Sequence, residues 1–149
     1  MRIGLVGCVK SKRAVPAPAA DLYTSPLFLG RRAFVEAGCD RWYVLSALHG
    51  LVRPEQILDP YDRTLNNATS AERREWSQNV IDALGRELGS LRGLIFEIHA
   101  GRSYTDFGVA SGLRRDGAHV ELPVAGLGLG QQLAFYARAS APLGSHTQR

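Results

Sequence analysis

The feature that most constrains the fold is an alternation of short apolar segments with amphipathic helical patterns along the 149 residues. The apolar segments are rich in β-branched and aromatic side chains, which favours buried strands. They cover residues 2–8, 41–48, 93–99 and 119–124. Strands that alternate with helices predict a mainly parallel sheet covered on both faces. We therefore expect an α/β three-layer sandwich of four to five strands, Rossmann-like or flavodoxin-like.

Capping residues mark where the helices between these strands begin. Ser25 is followed by a proline, which favours a helix start at that point. Thr69 and Glu72 match a capping box, and Ser103 is the predicted N-cap of a third helix. The predicted helices cover residues 26–37, 69–88, 103–113 and 131–139. Residues 9–25 and 49–68 are expected to be mostly loop.

Length and composition favour a single globular domain. Hydrophobic residues make up 45% of the chain, enough for one core. We expect one α/β domain over residues 1–141 and a disordered tail over residues 142–149. No apolar run approaches the roughly 20 residues that span a bilayer, and the first residues lack the pattern of a signal peptide. A cytoplasmic protein with two free thiols and no membrane contact is therefore expected.

The chain carries a formal net charge of +4, which permits an anionic partner. A phosphate, a nucleotide or a nucleic acid each fits that description. The basic residues are spread along the chain, however, and many fall where solvated helix faces are predicted. A simple solubility role therefore explains the charge equally well.

The densest group of reactive side chains lies in residues 44–65, where a strand runs into a loop. The group consists of Ser46, His49, Arg53, Tyr61, Asp62 and Thr64. In open α/β sheets, ligands bind beyond the carboxyl ends of the strands. His49 and Asp62 are candidate general acids or bases, and Ser46, Arg53 and Tyr61 are candidate substrate contacts. A Ser-His-Asp hydrolase is disfavoured, because Ser46 lies inside the strand rather than on a nucleophile elbow.

The loop after the first strand adds a thiol and two lysines. Cys8 is a candidate nucleophile if a nearby cation lowers its pKa, and a small core residue otherwise. Lys10 and Lys12 are candidate phosphate contacts. The segment lacks the glycine spacing of a Walker loop.

Three other segments supply candidate substrate-binding residues. The candidates are Tyr23 and Ser25 before the first long helix, His99, Gly101 and Tyr104 after the third strand, and Gly126, Gly128 and Gly130 before the last helix. Each group also has a structural explanation, in capping, core packing or close backbone approach. The glycine segment is only a weak dinucleotide fingerprint, because no acidic residue follows at the usual distance.

Neither a cofactor nor a metal site is predicted. The two cysteines lack the paired spacing of structural zinc sites, and the histidines are far apart in sequence. Whether His49 and His99 meet in space remains open at this point.

Residues 45–61 resemble the L-S-G-L-Y-G-x-L-R-P-x-D-x-I-x-P-Y motif of the YaaA-like peroxide-stress proteins. More of the chain resembles a small uncharacterised bacterial and phage domain family with five ordered motifs. These are G-C-x-K-x-K, D-L-Y-x-S-x-L-F, S-A-x-H-G-L, P-Y-D-x-T-L and G-L-G-x-G-x-Q-L, at residues 7–12, 21–28, 46–51, 60–65 and 126–133. Residues 8–12 are more distantly similar to part of the catalytic domain of archaeosine synthase.

These resemblances imply a role in handling nucleobases or nucleic acids. The leading hypothesis is a small enzyme that acts on a nucleobase, nucleoside or nucleotide, as a transferase or a glycosidic-bond hydrolase. Its partner would be a small molecule containing a nucleobase or a phosphate. The alternative is a non-enzymatic DNA- or RNA-binding module of the YaaA-like type. The substrate, the reaction and the oligomeric state stay open.

Overall fold

The computed structural model of the protein describes residues 1–8 and 12–140, with a five-stranded sheet at its centre. The strands of this sheet are β1 (Arg2–Gly7), β3 (Arg41–Ser46), β4 (Gly50–Val52), β6 (Ile95–His99) and β7 (His119–Glu121). Their order across the sheet is β4-β3-β1-β6-β7. All neighbouring pairs are parallel except β3 and β4. A second, small sheet pairs β2 (Ala17–Pro18) with β5 (Ile57–Leu58).

Helices cover both faces of the central sheet, which confirms the predicted α/β fold with a mainly parallel sheet. On one face α2 (Pro26–Gly38) packs on β1 and β3, and α6 (Leu129–Ala139) packs on α2. On the other face α3 (Ser70–Leu88) packs on β4 and on α5 (Val109–Arg115). The short helices α1 (Ala19–Leu22) and α4 (Arg102–Thr105) lie in the connections.

The central strands β1, β3 and β6 are mostly buried because both faces of the sheet are covered. In β1 every residue from Ile3 to Gly7 is buried. Gly4 permits the close approach of α2, since a Cβ at this position would lie 2.6 Å from a methyl carbon of Val35. The largest fully buried side chains include Tyr23, Phe28, Phe96, Leu5, Leu45 and Leu84.

The predicted loops contain more regular structure than expected. Residues 9–25 include β2 and α1, and residues 49–68 include β4, β5 and a 3₁₀ turn at Leu65–Asn67. Of these elements, β2 and β5 depend on pairing between segments that are distant in the chain, which local patterns do not indicate.

The helix predicted over residues 103–113 is wrong in its boundaries. It begins at Arg102 after Gly101, and it stops at Thr105. Gly108, at a φ of +138° that only glycine adopts readily, precedes α5. Ser103 is not the N-cap; its hydroxyl donates instead to Oδ1 of Asn66.

Within residues 1–8 and 12–140, no helix is both long enough and apolar enough to cross a bilayer. The tail predicted to be disordered lies outside the described residues.

Candidate functional site

A cleft of about 610 Å³ opens beyond the carboxyl ends of β1 and β6. Its walls come from the loops after these two strands, from the segment after β5, and from α2. The lining residues are Cys8, Lys12, Leu27, Arg31, Asp62, Arg63, Thr64, Asn66, Asn67, Gly101 and Tyr104. The chain leaves β1 toward β3 on one side and later adds β6 on the other. The cleft therefore lies at the switch point of the sheet, where α/β proteins bind ligands.

Cys8 and Tyr104 form a contact in the wall of this cleft. The Sγ atom of Cys8 lies 3.3 Å from the Tyr104 hydroxyl, and Cys8 is only 8% exposed. Burial and the neighbouring Cys8 raise the pKa of Tyr104 well above its usual range. The phenol is therefore protonated at neutral pH and can donate to the sulphur atom. The Trp76 and Tyr104 rings pack in a T-shaped arrangement with their centroids 5.4 Å apart, which limits movement of the phenol.

Three hydroxyl groups form a chain beside the cleft. Ser46 donates to the Tyr61 hydroxyl at 2.8 Å, and Tyr61 contacts the Tyr23 hydroxyl at 2.5 Å. Burial is the main cause that raises the pKa of Tyr23 to about 12. The Nζ atom of Lys12 lies 4.7 Å from the Tyr61 ring centroid and 5.8 Å from that of Tyr23. These neutral rings place the Lys12 ammonium at the cleft by cation–π attraction.

Arg31 is a cleft residue that sequence reasoning missed. It projects from α2 and is only 4% exposed. Its Nη1 donates to the Gly7 carbonyl at 3.2 Å and its Nη2 to Oε1 of Gln132 at 3.4 Å, whereas its Nε has no hydrogen-bond partner among the described residues. Burial lowers its pKa, and the Tyr136 hydroxyl partly opposes this. A signal was present, because Arg31 lies at helical spacing between the buried residues Phe28 and Val35.

Of the two predicted acid–base residues, His49 and Asp62, only Asp62 lines the cleft. His49 is exposed and outside the lining, with its ring set edge-on against Tyr61 at 5.6 Å. Its backbone N–H donates to the Ser46 hydroxyl at 3.1 Å, so Ser46 stabilises the turn that follows β3.

Arg53 and Ser25 have structural partners away from the cleft lining. Arg53 binds the Glu87 carboxylate with Nε and Nη2, at distances from 2.6 to 3.2 Å, near the start of β3. The Ser25 hydroxyl caps α2 by accepting from the Phe28 N–H at 3.1 Å.

His99 is the last residue of β6, and its fully buried side chain packs against α2 and α6. Its Nδ1 is 2.7 Å from the Tyr136 hydroxyl, and its Nε2 is 2.7 Å from Oε1 of Glu97. The other Glu97 oxygen accepts from Nη1 of Arg2 at 3.0 Å. Both ring nitrogens are therefore engaged, and His99 does not meet His49. Among the described residues, no three His, Cys, Asp or Glu side chains come together in a way that could hold a metal ion.

Gly126, Gly128 and Gly130 shape the turn that leads into α6 and the start of that helix, and none of them lines the cleft. Gly126 has a φ of +80°, and the N–H of Gly128 donates to Oε1 of Gln131 at 3.0 Å. Gly130 lies in the first turn of α6. The turn directs α6 onto α2, and this packing brings Gln132 to Arg31. The other predicted phosphate contact, Lys10, lies outside the described residues.

A mainly parallel sheet with helices on both faces and a cation-lined cleft at its switch point together define a small α/β domain. The chain belongs to the family of unknown function DUF6884, whose model matches residues 3–138. No curated protein and no solved structure gives a significant match. The resemblance to YaaA-like proteins and to archaeosine synthase stays a prediction.

Proposed function

We propose that the protein is an enzyme that acts on a nucleobase, nucleoside or nucleotide in the cleft at the switch point. The observation that carries this proposal is the convergence of predicted site residues from separate loops. Cys8, Lys12, Asp62, Gly101 and Tyr104 all line one cleft of about 610 Å³. Small-molecule sites commonly measure roughly 300–1,000 Å³, so a nucleotide-sized ligand fits.

The lining offers a nucleophile, an acid–base group and hydrogen-bonding amides. The Cys8 thiolate is the candidate nucleophile, and the Tyr104 hydroxyl is placed to stabilise it. Asp62 is the candidate general base in its carboxylate form, and the candidate general acid for a departing base once it has taken up a proton. The amides of Asn66 and Asn67 can pair with the edge of a base, because an amide is both donor and acceptor. In this arrangement Asp62 takes the role for which His49 was the other candidate.

A panel of nucleosides, nucleoside monophosphates and deazapurines tests the proposal. Calorimetry measures binding, and chromatography of the products measures turnover. We expect at least one compound to bind and to be converted. The variant Cys8→Ala should lower turnover by at least about 100-fold while the Kd changes less than threefold, because the thiolate would act in the chemical step.

Cys39 provides the matched control, since it is the other free cysteine and lies outside the cleft lining. Burial raises the pKa of the Cys39 thiol to about 11, so this residue is unreactive near neutral pH. Cys39→Ala should retain full turnover. Equal losses in both variants, or no binding by any compound, would contradict the proposal. Tight, salt-dependent binding of a single-stranded oligonucleotide without turnover would favour the nucleic-acid-binding alternative.

A further inference from the structure

Arg31 is a buried cation whose described neighbours do not include a carboxylate partner. Its hydrogen bonds go to two neutral oxygens, the Gly7 carbonyl and Oε1 of Gln132. Among the described residues it takes part in no ion pair, and its Nε–H is buried without an acceptor. Buried charges in proteins are normally paired, because desolvation of an uncompensated charge is costly. Arg31 is one of the residues that line the cleft, so a ligand bound there can supply the missing anion.

The rest of the cleft has the same electrostatic character. Among the described lining residues, Lys12, Arg31 and Arg63 stand against one carboxylate, that of Asp62, so the net charge stays positive even when Cys8 is a thiolate. Lys12 is placed by the Tyr61 and Tyr23 rings. This positive cleft favours an anion, and a phosphate monoester, which carries close to two negative charges at neutral pH, is attracted more strongly than a singly charged carboxylate.

A buried chain of polar side chains lies behind Arg31. The Tyr136 hydroxyl is held by Nδ1 of His99, and Nε2 of His99 is held by the Glu97 carboxylate. Burial raises the pKa of Tyr136 to about 12, and the charge of Arg31 opposes this rise. Of these three side chains, the one nearest Arg31 is the neutral Tyr136 phenol and not the Glu97 carboxylate. These groups therefore do not neutralise the charge of Arg31, which stays available to a ligand.

We infer that Arg31, together with Lys12 and Arg63, binds a phosphate group of the ligand. The guanidinium fork suits phosphate oxygens, and the buried setting strengthens such charge-assisted hydrogen bonds. This inference rests on the proposed function, since it assigns a phosphorylated nucleoside as the substrate class. It predicts that the 5′-monophosphate of a nucleoside binds more tightly than the nucleoside itself.

The test compares Arg31→Met with Arg32→Met, two neighbouring arginines on the same helix. Arg32 is half-buried and paired with Asp21 and Glu36, outside the cleft lining. Calorimetry measures the Kd of inorganic phosphate, acetate, a nucleoside and its 5′-monophosphate. We expect Arg31→Met to weaken phosphate and monophosphate binding at least tenfold, and Arg32→Met to change both by less than threefold. Acetate should bind far more weakly than phosphate to the wild type.

Thermal unfolding separates ligand binding from a structural role. The unliganded Arg31→Met variant should keep the wild-type Tm or exceed it, because the substitution removes a buried charge that lacks a counter-ion. Phosphate should raise the Tm of the wild type and not that of the variant. A lower Tm in the unliganded variant with unchanged phosphate affinity would overturn the inference. If Arg31→Met does not fold, Arg31→Lys and Arg63→Met replace it, and unchanged phosphate affinity in both would overturn it as well.

The outcomes keep this inference distinct from the proposed function. Phosphate binding that depends on Arg31, without conversion of any nucleoside or nucleotide, supports the inference while the enzyme proposal fails. Conversion of free nucleosides with no gain from a phosphate overturns the inference while the enzyme proposal stands. Equal affinity for acetate and phosphate overturns the choice of phosphate.

Discussion

Replacement of Glu97 by alanine is expected to lower the free energy of unfolding by about 3–5 kcal/mol at pH 7. The Glu97 side chain is only 7% exposed and contacts both His99 and Arg2. Its removal leaves a buried imidazole nitrogen without a partner. Equilibrium unfolding in urea, monitored by circular dichroism, measures the change.

Glu121 is the matched control, because its carboxylate contacts the same guanidinium of Arg2. Its side chain is 48% exposed, so solvent screens the ion pair. Glu121→Ala should therefore cost less than about 1 kcal/mol. Similar losses in the two variants would show that Arg2, rather than the buried chain to His99, determines the stability of this region.

The contribution of Glu97 should also depend on pH in a defined direction. Burial raises the pKa of this carboxyl group, but hydrogen bonds and charges from His99 and Arg2 outweigh it, so the net pKa lies below the usual 4.5. A depressed pKa means that folding favours the carboxylate. The stabilisation is complete above about pH 4.5 and is lost as the pH falls through the lower folded value. The stability gap between wild type and Glu97→Gln should therefore narrow below pH 4.5. A gap that stays constant from pH 7 to pH 3 would contradict this account.

The fold could be predicted from the sequence because the central parallel strands β1, β3 and β6 are mostly buried on both faces. Continuous apolar runs and capping residues then mark the element boundaries, and the switch point fixes the position of the cleft. The prediction was weakest where a side chain's direction decides its role. Glu97 and His99 lie two residues apart and must share a face of β6, but spacing does not say which face. The structure directs His99 toward α2 and α6 and away from the cleft.

Arg31 shows the opposite error to His99. The sequence pattern places it among the solvated basic residues of a helix, whereas the structure places it in the lining of the cleft. Two adjacent arginines look alike in sequence, yet they lie about 100° apart on a helix. Arg32 forms the expected surface ion pairs. Arg31 falls on the apolar stripe with Phe28 and Val35, and a charge on such a stripe requires a partner inside the protein or from a ligand. Helical phase, applied to every charged residue, would have singled out Arg31.

Alanine substitutions at two helical glycines should have opposite effects on stability. Gly30 lies within α2 and Gly85 within α3. A Cβ at Gly85 would meet no atom within 4 Å, so Gly85→Ala should stabilise the protein by about 0.5–1 kcal/mol through helix propensity. A Cβ at Gly30 would lie 2.8 Å from the Cβ of Tyr136. Gly30→Ala should therefore destabilise by about 1–3 kcal/mol, because α6 must move away from α2. Urea unfolding of both variants measures the two signs.

The Gly30 substitution also tests whether the packing of α6 supports the cleft. Displacement of α6 would carry away the Tyr136 hydroxyl, which binds His99, and Gln132, which binds Arg31. Gly30→Ala should therefore weaken phosphate binding several-fold, whereas Gly85→Ala should leave it unchanged. Weaker binding in the folded variant, measured by calorimetry well below its Tm, would separate this effect from simple loss of folded protein. A destabilised Gly30→Ala variant with wild-type affinity would show that Arg31 holds its position without α6, through its bond to the Gly7 carbonyl.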